Sequence, residues 1–218
     1  MLCASELAYL AGTNYVPYEE ITDPALKSAL IALKHGVEDL ACAVSGSALL
    51  SLRDEGAISM EYTTSKLLRI MTIHEVVCTT TGATAAPQRS LEYRLASQFG
   101  GKARGVGYLV AHSIPMSGNA WSTVVQPRFE ALLEDGILYR EPIQATATTT
   151  RHTTTTATRS PALARAETLD QVMPAVRAWA MRWASFQADE AVLATQLRKG
   201  IHAALSKRTV TRDDDSDD

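Results

Sequence analysis

The sequence predicts a mainly α-helical chain with short β-hairpins (α+β), built as two winged-helix-like halves and a C-terminal helical pair. Apolar residues spaced three and four apart dominate the chain, which is the helical period. Three such patterns precede a hairpin pattern, and a similar order recurs further along. With 218 residues and 46% hydrophobic side chains, the chain is long enough to bury a core.

The first half, residues 1–86, is predicted to begin with three helices, each ended by a glycine. They cover residues 5–11, 24–35 and 37–55. Ser5 is the candidate N-cap of the first helix, and Asp23 followed by Pro24 is typical of a first helical turn. β-Branched residues then predict strands over 57–62 and 66–77, joined by the link 63–65.

The second half, residues 87–145, repeats the order of helices followed by a strand. Pro87 is predicted to open a helix that Gly100 and Gly101 close. Further helices are predicted over 106–112 and 119–135, and a strand over 137–139. Pro127 is expected to bend or divide the last of these helices.

Two helix-to-strand junctions, residues 52–58 and 132–138, share their letters at a separation of 80 residues. Each has a leucine, an acidic turn, a glycine and an apolar strand. In both, the glycine is free to adopt the positive φ that ends a helix. An internal duplication explains the likeness, and so does a turn common to many helices.

The remaining chain is divided into three segments. Residues 146–167 are a linker or hairpin with nine threonines between 146 and 158. Residues 168–208 form the helical pair, for which Thr168 and Gln171 match a capping box and Pro174 is expected in the first turn. Residues 209–218 form an acidic tail, which charge repulsion keeps solvated.

Charge is divided unevenly along the chain. Residues 1–141 carry 11 basic and 15 acidic side chains, residues 142–212 carry 10 and 4, and residues 213–218 add five aspartates. The net charge of -3 excludes a strongly basic nucleic-acid coater. No apolar run approaches the roughly 18 residues of a membrane span. Three cysteines are too few for a disulfide framework, which predicts a cytoplasmic location.

Catalytic and metal-binding signatures are missing from the sequence. No nucleophile has a recognisable base and orienting partner beside it. His74 and Cys78 have the spacing nearest to that of metal ligands, but on a strand they stand about 13 Å apart. The sequence therefore predicts no enzyme, no metal and no cofactor.

The candidate binding residues are of two kinds, basic and apolar. Lys102 and Arg104 lie in a glycine-rich loop before a helix, where backbone amides can hold an anion. Further basic side chains form a surface suited to an anion or a lipid headgroup. Large apolar side chains of the helical pair form a candidate self-association surface. The basic candidates are Arg128, Arg198, Lys199, Lys207 and Arg208, and the apolar ones are Trp179, Trp183 and Phe186.

Two segments resemble known families. Residues 6–12 read Glu-Leu-Ala-Tyr-Leu-Ala-Gly and resemble the Glu-Leu-Ala-Tyr-Leu-Ala-Gly-Gly signature of an uncharacterised, mostly actinobacterial, protein family. More loosely, residues 26–205 resemble the Golgi-phosphoprotein family through segments 43–58 and 128–137. That resemblance implies phosphoinositide binding on a membrane, with Arg128 as a basic contact. Ser45 stands where a further basic residue is expected.

These observations favour a non-enzymatic protein-interaction or scaffold module, with a protein partner or self-association. One alternative is a peripheral membrane protein that binds anionic lipid or phosphoinositide headgroups. Another is a winged-helix DNA-binding regulator, but its recognition helices, residues 37–55 and 119–135, are predominantly acidic. Phosphate contacts need several lysines or arginines, so nucleic acid is the less favoured partner.

Overall fold

The computed structural model describes residues 2–13, 24, 36–67, 71–115, 119–140, 162–164 and 166–210. These residues form seven helices and five strands, which confirms a mainly helical α+β chain. The helices are α1 (Ala4–Gly12), α2 (Val37–Asp54), α3 (Leu91–Ser97), α4 (Val106–Ser113), α5 (Ala120–Glu134), α6 (Ala166–Asp189) and α7 (Ala191–Val210). The strands are β1 (Ile58–Leu67), β2 (Met71–Thr80), β3 (Arg104–Gly105), β4 (Leu138–Arg140) and β5 (Ala162–Ala164).

The core is organised around α2. Residues 40–50 of this helix are buried without interruption, and α2 packs against α1, α3, α5 and α7. Helix α1 also contacts α5 and α6, while α7 crosses α4 and β2. One hydrophobic cluster includes side chains from both predicted halves and from the C-terminal helices. The predicted segments therefore share a continuous apolar interior.

The main sheet has the antiparallel order β1-β2-β3. Strands β1 and β2 pair from Ile58 with Thr80 to Leu67 with Met71. The prediction of a turn at residues 63–65 was wrong, because those residues lie within β1. Thr63 and Thr64 are β-branched, and they extend the strand rather than end it. The connection is at residues 68–70, outside the described residues.

Strands β4 and β5 form a second, two-stranded sheet in which Arg140 pairs with Ala162. This pairing brings together the two ends of the segment that contains the threonine-rich run. That run lies outside the described residues, as do the predicted helix over 24–35, apart from Pro24, and the acidic residues 213–218.

The two similar junctions have the same local geometry. Gly56 and Gly136 have φ of 73° and 71°. The Ala57 amide donates to the Leu52 carbonyl at 2.9 Å, and the Ile137 amide donates to the Leu132 carbonyl at 3.0 Å. The positive φ predicted for both glycines is confirmed. A shared helix-ending motif is therefore sufficient to explain the shared letters, and internal duplication stays a hypothesis.

Helix starts depend on side-chain partners that were predicted only in part. Asn119, predicted only as the first residue of this helix, caps α5 by accepting hydrogen bonds from the amides of Trp121 and Ser122 at 2.9 and 3.3 Å. The N-cap of α1 is Cys3, not Ser5, because the Ser5 hydroxyl is bound to Glu92. Asn119 binds amides in the first turn of its own helix. The Ser5 hydroxyl instead donates to the Glu92 carboxylate, which is 87 residues away in the sequence.

Two further helix starts differ from prediction. Helix α3 begins after Ser90, whose hydroxyl accepts from the Tyr93 amide at 3.1 Å, and Pro87 lies in the preceding turn. Helix α6 begins at Ala166, so Thr168 is inside its first turn and Pro174 is in the helix interior. Ala166 and Glu167 are good helix formers, which is consistent with a start before the predicted capping box.

Candidate functional site

An open groove of about 650 Å³ lies between β2, α4 and α7. We call it the β2–α7 groove. It is lined by residues 73–76 of β2, by Val106, Gly107, Tyr108 and Ala111 of α4, and by Gln196, Lys199, Gly200, Ala203, Ala204 and Lys207 of α7. The α7 residues recur at helical spacing and therefore form one stripe along the wall.

Along the β2 wall of the groove, the described residues pair with only part of one strand edge. On one side, β2 pairs with β1 over its whole length. On the other side, the described residues pair with β2 only where Gly105 meets Val77 and Arg104 meets Cys78. Residues 73–76 continue past this short pairing into the groove. In an antiparallel ladder, alternate residues turn both N–H and C=O to the same side, so this edge presents hydrogen-bonding groups to an added strand.

Glycine and alanine residues make up much of the helical wall of the groove. A Cβ atom added to Gly107 would lie 3.6 Å from the Gly200 carbonyl oxygen and 3.9 Å from the Ala204 Cβ. One added to Gly200 would lie 3.7 Å from a methyl carbon of Val106. Helices α4 and α7 therefore approach each other closely, and their small side chains leave space beside β2.

Positive charge on the C-terminal helices divides between two faces. Lys199 and Lys207 line the groove, and Lys199 has no ion-pair partner among the described residues. The arginines facing α2 are paired instead. Arg198 pairs with Asp39, and Arg182 pairs with Asp54 at 2.6 Å. The acidic first part of the chain thus neutralises these two arginines, whereas Lys199 remains on the groove side.

Aromatic and basic side chains stack at the α4 end of the groove. The Arg104 guanidinium lies 4.5 Å from the centre of the Tyr108 ring, and Tyr108 stacks on His112 with ring centres 3.9 Å apart. Among the described residues, the buried Arg104 Nε has no hydrogen-bond partner. On the β2 wall, His74 Nδ1 lies 2.5 Å from the Tyr62 hydroxyl. The Tyr108 and His74 side chains in the groove lining are therefore held in place by stacking on His112 and Tyr62.

Arg128, expected to contact an anion or a lipid, is 2% exposed and cannot reach either. Its Nη1 donates to the Ser5 hydroxyl and its Nη2 to the Arg89 carbonyl, both at 3.4 Å, while its Nε has no hydrogen-bond partner in the described part of the chain. Burial lowers the pKa of Arg128, and the nearby Glu92 opposes that shift. The predicted anion or lipid contact of this arginine was wrong because the residues that enclose it are distant in sequence.

Arg128 belongs to a buried polar cluster between α1, α3 and α5. We call it the polar cluster and define it by Cys3, Ser5, Glu6, Glu92 and Arg128. Glu92 accepts hydrogen bonds from the Ser5 amide at 2.8 Å and the Ser5 hydroxyl at 3.0 Å. Glu6 accepts from the Cys3 amide at 2.9 Å, and burial raises its pKa. No sequence signal indicated this cluster, because its members lie up to 125 residues apart.

The remaining candidate residues have different environments. Lys102 is exposed in its loop, outside the groove lining, and the side chain of Arg208 lies outside the described part of the structure. The apolar candidates are in the core. Trp179 and Trp183 are 8% and 9% exposed, and Phe186 is fully buried. These three side chains therefore provide no surface for self-association, because contacts within the chain already cover them.

The three thiols are predicted to be unreactive in the folded chain. Burial raises the pKa of Cys3, Cys42 and Cys78 from 9.0 to about 12. A raised thiol pKa stabilises the fold fully below pH 9, and this contribution is lost as the pH rises towards 12. We expect slow reaction with a disulfide reagent at pH 8 and fast reaction of all three thiols in urea. Rapid labelling of any one thiol in the native chain would contradict this prediction.

Comparison with known protein families, with curated proteins and with solved structures finds no match for this chain. The resemblances noted in the sequence therefore stay predictions. Within the described residues, no helix is long and apolar enough to span a membrane. The same residues contain no group of three or more histidine, cysteine, aspartate or glutamate side chains placed to hold a metal ion.

Proposed function

We propose that this chain is a non-enzymatic protein-interaction module whose β2–α7 groove binds an extended, acidic segment of a partner protein. The observation that supports the proposal is the open edge of β2 at residues 73–76, facing a groove of about 650 Å³. A partner segment would add to this edge as a strand. Strand addition draws affinity from main-chain hydrogen bonds and specificity from alternate side chains.

The charges of the groove indicate the chemistry of the partner segment. Side chains of an added strand alternate between two faces, and one face would meet the α7 wall. Lys199 and Lys207 stand on that wall with small residues between them. An aspartate or glutamate on the face of the strand that meets this wall would pair with Lys199, while the exposed Ala203 leaves room for the strand itself.

A synthetic peptide tests the proposal directly. We expect a fluorescent ten-residue peptide of alternating aspartate and valine to bind, as measured by fluorescence anisotropy. Methylating the amides of one alternate set of residues should abolish binding, because it removes the donors to β2. Methylating the other set should have little effect. Lys199→Glu should weaken binding about tenfold, whereas Lys102→Glu, an exposed lysine outside the groove, should not.

Two results would contradict strand addition into this groove. One is equal loss of binding with either set of methylated amides. The other is an equal effect of Lys199→Glu and Lys102→Glu, which would indicate attraction by overall charge alone. Ala203→Trp, which fills the groove, should block the peptide, while Val192→Trp on an exposed part of the same helix should not.

The absence of enzymatic activity is part of the same proposal. Its support is that burial raises the pKa of the cysteine thiols and that two acidic side chains are buried and hydrogen-bonded within the fold. The thiols of Cys3, Cys42 and Cys78 have pKa values of about 12, so they are protonated at neutral pH. Glu6 and Glu92 are 1% exposed and hold backbone amides of α1 and its N-cap.

Anionic lipid is the second candidate ligand because Lys102, Lys199 and Lys207 are exposed. Flotation with vesicles containing phosphatidylserine separates the two candidates. The protein-interaction proposal expects no flotation. Flotation that is lost in the Lys199→Glu, Lys207→Glu double variant would favour the lipid surface instead.

The winged-helix-like plan of the two halves also stays a proposal. It is supported by the matching junctions, from α2 into β1 and from α5 into β4. A DNA-binding role has less support, since residues 40–50 of α2 are buried and the exposed side chains near its ends are mainly acidic. Duplex binding with a steep salt dependence would be the result that favours it.

A further inference from the structure

We infer that a cavity between α2, α6 and α7 binds a small organic acid that has a short, branched alkyl group. The cavity has a volume of about 60 Å³, and we call it the three-helix cavity. It shares no lining residue with the β2–α7 groove. The inference is therefore independent of the proposed function.

The inner wall of the three-helix cavity is apolar. Its side chains come from all three helices, and each of them is at most 9% exposed. They are Cys42 and Ala43 of α2, Trp183 of α6, and Leu197 and Ile201 of α7. Water finds few hydrogen-bond partners beside such side chains, so an apolar group is the favoured occupant at this wall.

The space arises because small side chains stand beside a large ring. A Cβ atom added to Gly46 would lie 2.7 Å from the Trp183 ring, so glycine at this position lets the ring pack directly against α2. One turn earlier, Cys42 and Ala43 are too short to fill the space that they line. An apolar cavity of about 150 Å³ holds benzene, so one of about 60 Å³ takes a smaller group, such as a branched alkyl group of three or four carbons.

The solvent side of the three-helix cavity is polar. Gln187 and Arg198 are exposed there, and Asp39 is half-buried. Arg198 donates to Asp39 through Nη2, which holds the guanidinium at the cavity. A guanidinium has five N–H donors, so those on Nε and Nη1 remain for the carboxylate of a ligand.

An open recess of about 540 Å³ adjoins this side and shares three lining residues with the cavity. It adds Lys199 and His202 to the surroundings. Asp39 already pairs with Arg198, and the His202 Nε2 lies 3.6 Å from the Glu38 carboxylate. Among the described residues, no carboxylate lies within ion-pair distance of Lys199. The remaining positive charge favours an anion, whose alkyl group would lie inside the cavity and whose carboxylate would lie outside.

Titration with 3-methylbutanoate tests the inference on the unmodified chain. We expect the indole N–H signal of Trp183 to shift in a saturable way in NMR spectra, with a dissociation constant of about 1 mM or lower. Trp183→Phe identifies the signal among the three tryptophans. Acetate keeps the carboxylate without the alkyl group, and 3-methylbutan-1-ol keeps the alkyl group without the charge. Each should bind about tenfold more weakly than the acid, or weaker still.

Two variants test the place of binding. Ala194→Leu fills the half-buried entrance, and we expect it to weaken binding of 3-methylbutanoate about tenfold. Ala188→Leu, at an exposed alanine outside the lining, is the matched control and should bind like the parent. Arg198→Gln should weaken binding of the acid about tenfold and leave binding of the alcohol unchanged. Arg177→Gln, at an exposed arginine elsewhere on α6, should change neither.

Failure of the Trp183 signal to shift in a saturable way would overturn the inference, and so would equal binding of acetate or of the alcohol. Equal affinities of Ala194→Leu and Ala188→Leu would place the acid outside the cavity. If Ala194→Leu does not fold, the ligand comparison and Arg198→Gln decide. The aspartate–valine peptide remains the separate measurement for the proposed function. Peptide binding without acid binding overturns only this inference, and acid binding without peptide binding contradicts only the proposed function.

Discussion

Replacing Phe186 with alanine is expected to lower the free energy of unfolding by about 3–5 kcal/mol, the usual cost of truncating a fully buried phenylalanine. Phe186 has no exposed surface, and its ring centre lies 5.8 Å from that of Trp183. The Arg53 guanidinium covers the same ring at 5.7 Å. Since small domains are stable by only about 5–15 kcal/mol, this loss should be plain in urea unfolding.

An exposed residue on the same helix provides the control. Met181 is 46% exposed, so Met181→Ala should change the free energy of unfolding by less than about 0.5 kcal/mol. Sedimentation should show the same oligomeric state for the parent and both variants. If Phe186→Ala left stability unchanged but altered the oligomeric state, the self-association surface expected from the sequence would be restored.

The second large effect is expected at the polar cluster, where Arg128→Met should lower the free energy of unfolding by about 3–5 kcal/mol. The variant leaves the Glu92 and Glu6 carboxylates buried without the nearby cation. Arg128 is 2% exposed and both carboxylates are 1% exposed, so water cannot replace the lost interaction. Urea unfolding measures the loss, and Arg177→Met, at an exposed arginine of α6, should leave stability unchanged.

A double variant separates charge loss from loss of packing. We expect Arg128→Met combined with Glu92→Gln to cost less than the sum of the single variants, with an interaction energy of about 1–3 kcal/mol. Strict additivity would mean that the two charges do not support each other. Loss of vesicle binding in folded Arg128→Met protein would contradict its burial and favour the role implied by the Golgi-phosphoprotein resemblance.

Helix and strand positions were predictable where the signal lies within a few residues. The Asn119 cap and the glycines at positions 56 and 136 work through their own backbone and immediate neighbours. The structure confirms the positive φ of both glycines and the start of α5 near residue 119. The hairpin turn was misplaced because threonine suits both a polar turn and a strand. The register that places Ile58 opposite Thr80 continues to Leu67 opposite Met71. Only this pairing shows that the strands extend through residues 63–65.

The sequence indicated two basic residues that line the candidate site, but it did not predict the groove itself. The sequence singled out Lys199 and Lys207, and the structure places both on one wall of the groove. It did not indicate that β3 would be only two residues long and leave residues 73–76 of β2 without a neighbour on that side among the described residues. An open edge is a property of strand pairing, and pairing depends on residues that are distant along the chain.

The sequence alone determined the mainly helical α+β class, the C-terminal ends of α2 and α5 and the uneven distribution of charge, because periodicity, helix-ending glycines and composition are local properties. The tertiary structure decided which charged side chains form contacts within the chain. Arg198 pairs with Asp39 across 159 residues, and Glu92 binds Ser5 across 87. Burial then made Arg128 a structural residue and left Lys199 facing the groove. Contacts over such distances follow from packing, since any of several basic residues would satisfy the same local pattern.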